Sequence, residues 1–376
     1  MPKFRCLAEW FSAVLLMLWM AVALSAQSKD IDPALLAKAN AGDALSQLLV
    51  GATYEDGKSV PQDYGQAKAW YLKAAVQDFA PAQYAIGSLY KDGHGVPQDN
   101  VKATIWIRKA AEQGYRIAQY DLGVVYNSGQ GLPKDYAQAA RWYRRAAEQG
   151  YASAQYNLGV LYRDGQGLPQ DFSQAADWFR KSAEQGDAHA QSDLGILFHL
   201  GEGMPLNNVQ AALWFRKAAD QDYGAAEYNL GVLYQGGQGV QQDSEQAALW
   251  IRKAAEQRYV LAQYDLGVMY RDGQGLPQDT VQASVWFRGA AEQGYAPAQY
   301  NLGAMYHDGE GVAQDFAESY FWLDLAASGK VENISRKYVE DARDDSASYL
   351  SNAAVLQTRE RVRKWRESHH SKTTPQ

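Results

Sequence analysis

The chain is poor in the residues that carry chemistry. Its 376 residues include one cysteine, Cys6, which excludes an internal disulfide and a paired-thiol metal or redox centre. The histidines, His94, His189, His199, His307, His369 and His370, are scattered, and none forms a His-x-x-x-His pair with a glutamate base. Glycine pairs are common, but no P-loop lysine follows them and no strand pattern precedes them, so they read as turns rather than phosphate cradles. The alternating acidic ligands of a calcium loop are missing as well. A net charge of −7 leaves no basic excess for a nucleic-acid backbone. No cofactor and no metal is expected; a protein or peptide partner is.

Long apolar runs are also scarce. The one at residues 11–24 is too short for an ordinary membrane span of about 20 residues. Lys3 and Arg5 precede it, and Ala23, Ser25 and Ala26 offer small residues for cleavage. Residues 1–26 therefore read as a bacterial Sec-type signal, the alternative being an uncleaved anchor, and the mature chain is expected in the periplasm or outside the cell with no stable membrane span after cleavage. Cys6 lies ahead of the apolar run, the wrong side for lipid acylation. Without it the mature chain has no thiol, and its stability must come from packing.

What the chain does have is a repeat. Trp70, Trp106, Trp142, Trp178, Trp214, Trp250, Trp286 and Trp322 stand 36 residues apart without insertion or deletion, and so do Gly51, Gly87, Gly123, Gly159, Gly195, Gly231, Gly267 and Gly303. Such a period belongs to stacked helix pairs, in which one pair cannot bury its own apolar face and its neighbours complete the core.

The copy at 154–189 predicts two helices. Ala154, Leu158 and Tyr162 make an apolar ridge one turn apart. Gly165, Gly167 and Pro169 end that helix and turn the chain. Asp171 caps the second helix, with Gln174 three residues on as in a capping box. The cap recurs as Asp63, Asp99, Asp135, Asn207, Asp243, Asp279 and Asp315, followed at +3 by Gln or Glu except at Lys102. Ala175, Trp178, Phe179 and Ala183 share the buried face, and Gly186 suits the left-handed residue beyond the end. Gly159 sits inside the first helix, where glycine costs about 1 kcal/mol against alanine. Eight such glycines imply close approach of a neighbouring helix, expected beneath the tryptophan.

Arg108 and Lys109 with Glu112, Arg144 and Arg145 with Glu148, and Arg252 and Lys253 with Glu256 have the spacing of helix-surface ion pairs, worth a few tenths of a kcal/mol each. The tryptophans read as core.

Residues 27–42 predict an N-terminal capping helix, with Asp32 as cap, Pro33 in the first position and Gly42 in register with Gly114 and Gly150. Eight repeats fill 43–328. The first is weak, with Leu48 in a tyrosine column and Ser59 in a glycine column; the fifth carries Ser192, Phe198 and Asn207. Asp222 and Arg258 replace the inter-repeat glycine, where local bends or weaker exchange protection are expected. At 329–368 the period fails, and 331–345 and 352–367 read as closing helices. The last is basic through Arg359, Arg361, Arg363, Lys364 and Arg366, either a solvated cap face or a surface for an acidic partner. Residues 369–376 read as a disordered tail.

The columns Ala118, Leu122, Gly123, Tyr126, Gly129, Gly131, Asp135, Ala139, Trp142, Ala146 and Ala147 resemble the Sel-one-like repeat family, relatives of tetratricopeptide repeats, and the resemblance spans 43–328. The two final helices resemble the extension that ends bacterial members. The resemblance implies an all-α fold, a right-handed α/α superhelical solenoid of about eight 36-residue helix-turn-helix repeats, serving as a scaffold or adaptor between proteins rather than as an enzyme. Cysteine-rich secreted relatives are associated with β-lactam binding and hydrolysis. An alternative is therefore a β-lactam- or peptidoglycan-interacting enzyme or binder, although the paired cysteines are lacking here; a structural spacer in an envelope complex is a third reading.

In related tetratricopeptide domains the first helices line the concave face, so the resemblance makes the variable first-helix side chains a candidate partner groove. They are Asp121, Val124 and Asn127; Asn157, Val160 and Arg163; Asp193, Ile196 and His199; Asn229, Val232 and Gln235; Asp265, Val268 and Arg271; and Asn301, Ala304 and His307. Each triplet opens with Asn or Asp. That ladder of acceptors either takes the backbone of an extended partner or keeps an exposed face soluble.

Overall fold

A computed structural model of the chain describes residues 30–329 and 335–373; the expected signal segment with Cys6, and residues 374–376, lie outside them. All regular structure among the described residues is helical, and the chain divides into two units after Ser182. The first unit holds the helix Pro33–Asn40 and four hairpins: Ala44–Asp56 with Tyr64–Ala75, Ala80–Asp92 with Asn100–Glu112, Arg116–Ser128 with Tyr136–Glu148, and Ala152–Asp164 with Phe172–Ala183. The second holds Ala188–Leu200 with Asn208–Ala219, Gly224–Gly236 with Ser244–Glu256, Val260–Asp272 with Thr280–Glu292, and Ala296–Asp308 with Phe316–Ser328. Arg336–Ser348 and Asn352–Thr373 close it. The fold is an all-α solenoid of helix-turn-helix repeats at the spacing the tryptophans mark.

The expected caps form, but not as a capping box. In the third repeat Asp135 Oδ1 accepts from the Gln138 N–H at 3.0 Å, and Asp63, Asp99, Asn207 and Asp279 do the same three residues on. A box needs the glutamine to return a bond to the cap's own N–H. That N–H is already taken: Asp63, Asp99, Asp135, Asp171, Asn207, Asp243, Asp279 and Asp315 each donate to the carbonyl nine residues earlier, at 2.8–3.0 Å. The bond joins the start of the second helix to the last turn of the first and closes the hairpin. The glutamine that acts is the residue before the cap. Gln98, Gln170, Gln242 and Gln278 donate to the carbonyls of Lys91, Arg163, Gln235 and Arg271, satisfying groups the first helix leaves open.

The glycine inside the first helix is there for close approach, but the neighbour is not the tryptophan. A Cβ on Gly159 would lie 2.7 Å from two ring carbons of Phe179, the residue after Trp178, and one on Gly123 would lie 2.5 Å from Tyr143. The same contact joins Gly51 to Tyr71, Gly87 to Ile107, Gly195 to Phe215, Gly231 to Ile251, Gly267 to Phe287 and Gly303 to Leu323, all at 2.5–2.7 Å. The tryptophan is displaced because helical geometry turns its neighbour toward the partner helix within the repeat, leaving the indole for the edge between repeats. The second loop glycine is also a contact point. A Cβ on Gly167, Gly239 or Gly275 would fall 2.0–2.3 Å from the backbone at the start of the preceding second helix.

Between repeats runs a ladder of buried glutamines that sequence reading passed over. Gln47, Gln83, Gln119, Gln155, Gln191, Gln263 and Gln299 each donate to the carbonyl eight residues earlier, at 3.0–3.4 Å. Their side-chain oxygens accept from glutamines 30 residues later: Gln77, Gln113 and Gln149 in the first unit, Gln221 and Gln293 in the second, at 2.7–2.8 Å. In the sixth repeat the rung is Glu227. It accepts from Gln257 through Oε2 at 2.8 Å, but an ionised carboxylate has no proton for the Ala219 carbonyl, and Oε1 is buried without a partner. Glu227 is 1 % exposed, and burial raises its carboxyl above the ordinary glutamate value.

The surface ion pairs read from the sequence do not form among the described residues. Arg108, Arg144 and Arg252 reach instead to the tyrosine hydroxyls of the next repeat, Tyr126, Tyr162 and Tyr270, at 2.6–2.9 Å. Lys109, Arg145 and Lys253 lie over Trp106, Trp142 and Trp250, 4.5–4.6 Å from a ring centroid. A half-buried ring face offers a cation more than a solvated carboxylate does.

Asp222 and Arg258 keep the left-handed backbone of the glycines they replace, with φ of 59° and 64°, and Asp78 does so as well at 57°. A non-glycine residue in that conformation carries backbone strain of about 1–2 kcal/mol.

At the C-terminus the first closing helix starts at Arg336 rather than 331, capped by Ser335 Oγ at 3.2 Å; residues 330–334 lie outside those described. The last helix does not stop at 367 but continues through Thr373, into the stretch expected to be disordered. His369 stacks on Trp365 at 3.7 Å, and its Nε2 sits 3.2 Å from the Glu292 carbonyl, which anchors the added turn.

Two outcomes test this packing. Gly159→Ala is expected to destabilise the chain by about 1–3 kcal/mol, overpacking against Phe179 outweighing alanine's helix preference. Gly236→Ala, whose Cβ meets nothing closer than Gln238 Cγ at 3.4 Å, is expected to be neutral or mildly stabilising; urea midpoints compare the two. Because the folded carboxyl of Glu227 binds its proton more tightly than the unfolded one, folding takes up a proton. Stability is then fully present below the ordinary carboxyl value and falls as pH rises through the raised one. Glu227→Gln is expected to flatten that fall and to add about 1–3 kcal/mol at about pH 8, where it restores a donor to the ladder.

Candidate functional site

The candidate side chains come from one face of the first helices, and consecutive first helices touch along it. The Tyr84 hydroxyl donates to Asp121 Oδ2 at 2.9 Å across one repeat, and Tyr228 donates to Asp265 Oδ2 at 2.8 Å. The ladder of acceptors is therefore partly occupied from within. Asp121 also holds Lys91 at 3.5 Å. Burial raises the Asp265 carboxyl, and the Tyr228 bond pulls it part of the way back down. Asn157 bonds the Tyr143 hydroxyl, whose own ionisation burial pushes up. Burial raises Tyr223 as well, and the negative charge of Asp193 adds a smaller push in the same direction.

The apolar members divide. Val124, Ile196 and Val268 pack against the clusters built on Tyr143, Phe215 and Phe287 and belong to the joints between helices. Val160, Val232 and Ala304 are half-buried on the face itself. Asn127, Asn229 and Asn301 are half-buried too, and Gln235 is exposed.

The last-turn position holds the most varied chemistry. Arg163 pairs with Asp164 at 2.8 Å and Arg271 with Asp272 at 2.7 Å, each a neighbour in sequence that leaves the guanidinium at the surface. His199 Nδ1 lies 2.8 Å from Asn208 Oδ1. His307 bridges Asp308 at 2.8 Å and Asp345 of the closing helix at 2.9 Å, and these acids raise its titration, Asp308 most.

No group of three or more His, Cys, Asp or Glu among the described residues is arranged to hold a metal. His94 stacks on Tyr64 at 4.7 Å and His189 on Tyr223 at 4.8 Å. No described helix is long and apolar enough to cross a membrane. A hollow of about 580 Å³ lies away from the first-helix face, between the closing helices and Phe316–Ser328. It is basic in composition but neutralised: Asp324 holds Arg343 and Arg366 at 3.3 and 3.2 Å, Arg359 donates to the Tyr320 hydroxyl, and Arg363 pairs with Glu360 and Glu367. Arg361 pairs with Glu318, and Lys364 lies 3.7 Å from Glu360. Arg359, Arg361 and Arg366 tie the last helix to Phe316–Ser328, while Arg363 and Lys364 stay exposed and pair with acids of their own helix.

Comparison with known proteins follows this geometry. The family model described as Sel1 repeat matches residues 44–78, 80–115, 116–151, 152–187, 188–223, 224–259, 260–295 and 296–330. A Sel1 repeat protein from Oxalobacter formigenes is 36% identical, over 78% of this chain and 86% of that one, with a TM-score of 0.64. A protective antigen of uropathogenic Escherichia coli displaying an SLR fold is 26% identical over 92% of this chain and 98% of that one, with a TM-score of 0.55. No curated protein matches.

Tyr228→Phe removes the hydrogen bond that lowers the Asp265 carboxyl. Its titration, followed by carboxyl-carbon NMR, is expected to move further up, and the stability of the second unit to fall by about 1 kcal/mol.

Proposed function

The chain belongs to the Sel1 repeat family, and on that premise we propose that it is an exported, non-catalytic scaffold that binds a partner protein along the face of its first helices. The observation that carries this reading is internal to the chain. Packing columns barely vary from repeat to repeat: glycine, the following aromatic or branched residue, the buried glutamine and the capping aspartate. The last-turn column of the first helix runs Glu55, Lys91, Asn127 and Arg163 in the first unit and His199, Gln235, Arg271 and His307 in the second. A position that only kept a surface wet would tolerate one polar residue throughout; alternation of charge sign and shape suits recognition of an irregular partner.

Export is supported by Lys3, Arg5, the apolar run at 11–24 and the small residues that follow. The relative described as a protective antigen fits the same location. The β-lactam or peptidoglycan alternative has no particular observation among the described residues in its favour. The spacer reading leaves the varied column without a purpose.

A photo-crosslinking residue at Asn127 or Gln235, introduced into the full chain in cells, is expected to capture a defined protein. Arg163→Glu with Arg271→Glu is expected to reduce that capture about tenfold without changing the melting temperature. Equal capture from Asp177, on the outer face of a second helix, and indifference to the charge reversals would overturn the assignment.

A further inference from the structure

The outer faces of the second helices differ between the two units. One column, spaced 36 residues apart, reads Leu213, Leu249, Val285 and Phe321 in the second unit, and Ala69, Ile105, Arg141 and Asp177 in the first. The repeat itself therefore does not require an apolar residue there. Leu213, Leu249 and Val285 are nonetheless 53%, 46% and 53% exposed, whereas Phe321 is 6% exposed. Phe321 is covered by the chain's own last helix: Val362 and Trp365 join Phe321, Trp322 and Leu325 in one cluster, and Arg361 lies over the Phe321 ring at 4.6 Å. The structure thus contains one example of what this column accepts, the apolar side of a helix packed along Phe316–Ser328. The remaining three members continue that covered face without a cover.

Charge distinguishes the occupants. Four residues beyond Leu213 and Leu249, Lys217 and Lys253 lie over Trp214 and Trp250 at 3.7 and 4.5 Å. Neither ammonium has an acidic partner within ion-pair distance among the described residues. A second copy of this chain would offer the column its own last helix, whose arginines repel these lysines and are already engaged. We propose that the outer face around Leu213, Leu249 and Val285 is a docking surface for an acidic amphipathic helix of a partner protein, separate from the first-helix face. Leucines spaced along one side of that helix meet the column, and glutamates along its flank meet Lys217 and Lys253. At 1.5 Å per residue, about 15 residues cross three adjacent second helices.

The full chain is titrated into a fluorescein-labelled helical peptide of about 15 residues, with leucines at i, i+3, i+4 and i+7 and glutamates on the flanks. A twin peptide with lysines on the flanks is run beside it. The glutamate peptide is expected to bind and the lysine peptide to bind at least about tenfold more weakly. Leu213→Asp with Leu249→Asp is expected to weaken binding about tenfold, and Lys217→Gln with Lys253→Gln to remove its salt dependence. Arg271→Glu, on the first-helix face, should leave it unchanged, so this surface and the groove fail separately. These exposed substitutions leave the core intact, which thermal melting checks. Equal binding of both peptides, or undiminished binding by the Leu213→Asp, Leu249→Asp chain, would overturn the proposal; so would sedimentation as a dimer that Leu249→Asp dissolves.

Discussion

A contact with no room for a side chain holds each repeat in register. Gly159 lies against the Phe179 ring, and its seven counterparts lie against a tyrosine, phenylalanine, isoleucine or leucine at the same place. Glycine costs a helix about 1 kcal/mol, while burying a ring such as Phe179 completely contributes about 1.5–3 kcal/mol, so the second effect wins. The geometric consequence matters more. Because one helix must present a gap where the other presents a ring, neither can slide by a turn, and an insertion in either would separate the pair. The unbroken 36-residue spacing follows from that constraint.

Hydrogen bonds then join one hairpin to the next. A buried glutamine suits this role because one side chain both donates and accepts: Gln119 gives to the Ala111 carbonyl and takes from Gln149. A leucine of similar size would fill the space and forfeit both bonds, each worth about 0.5–1.5 kcal/mol net, although the Gly114 N–H would still reach the Ala111 carbonyl. Glu227 shows the opposite failing, keeping the acceptor and losing the donor unless it holds a proton. Arginine-to-tyrosine bonds reinforce the same joints, while cations over indole rings three residues away occupy the surface of a single helix, so the basic residues of the second helices face aromatic groups rather than the acids beside them.

With the interior uniform, identity resides in what varies on the surface. The first-helix face carries alternating charge and shape, and the outer face of the second unit carries an apolar column that the first unit interrupts with Arg141 and Asp177. Part of the first-helix face was legible from spacing, since helical periodicity puts Asp121, Asn157 and Asp265 on one side. Spacing does not say who reaches them. Tyr84 and Tyr228 reach Asp121 and Asp265 from 37 residues away, through the contact of neighbouring first helices. Val124 and Ile196 share the periodicity of the face yet lean into the joints. The glutamine ladder was overlooked for a related reason: a polar residue at a helical position reads as surface until the carbonyl that satisfies it is known.

Sequence alone determined the helix pairs, their number, their turns and their caps. These depend on local chemistry, on glycine, proline and aspartate at fixed offsets and on apolar residues at helical spacing, and the exact period multiplied a weak signal eightfold. Tertiary structure decided the partners: Phe179 rather than Trp178 beneath the helix above, the Tyr126 carbonyl rather than Gln138 on the cap of Asp135, tyrosines and indoles rather than glutamates for the arginines and lysines, and a last helix continued past its expected end by His369 against Glu292. Each choice lies between groups nearly equivalent in local energy, and only the rotation of one helix against the next, set where glycine meets ring, brings one of them within reach.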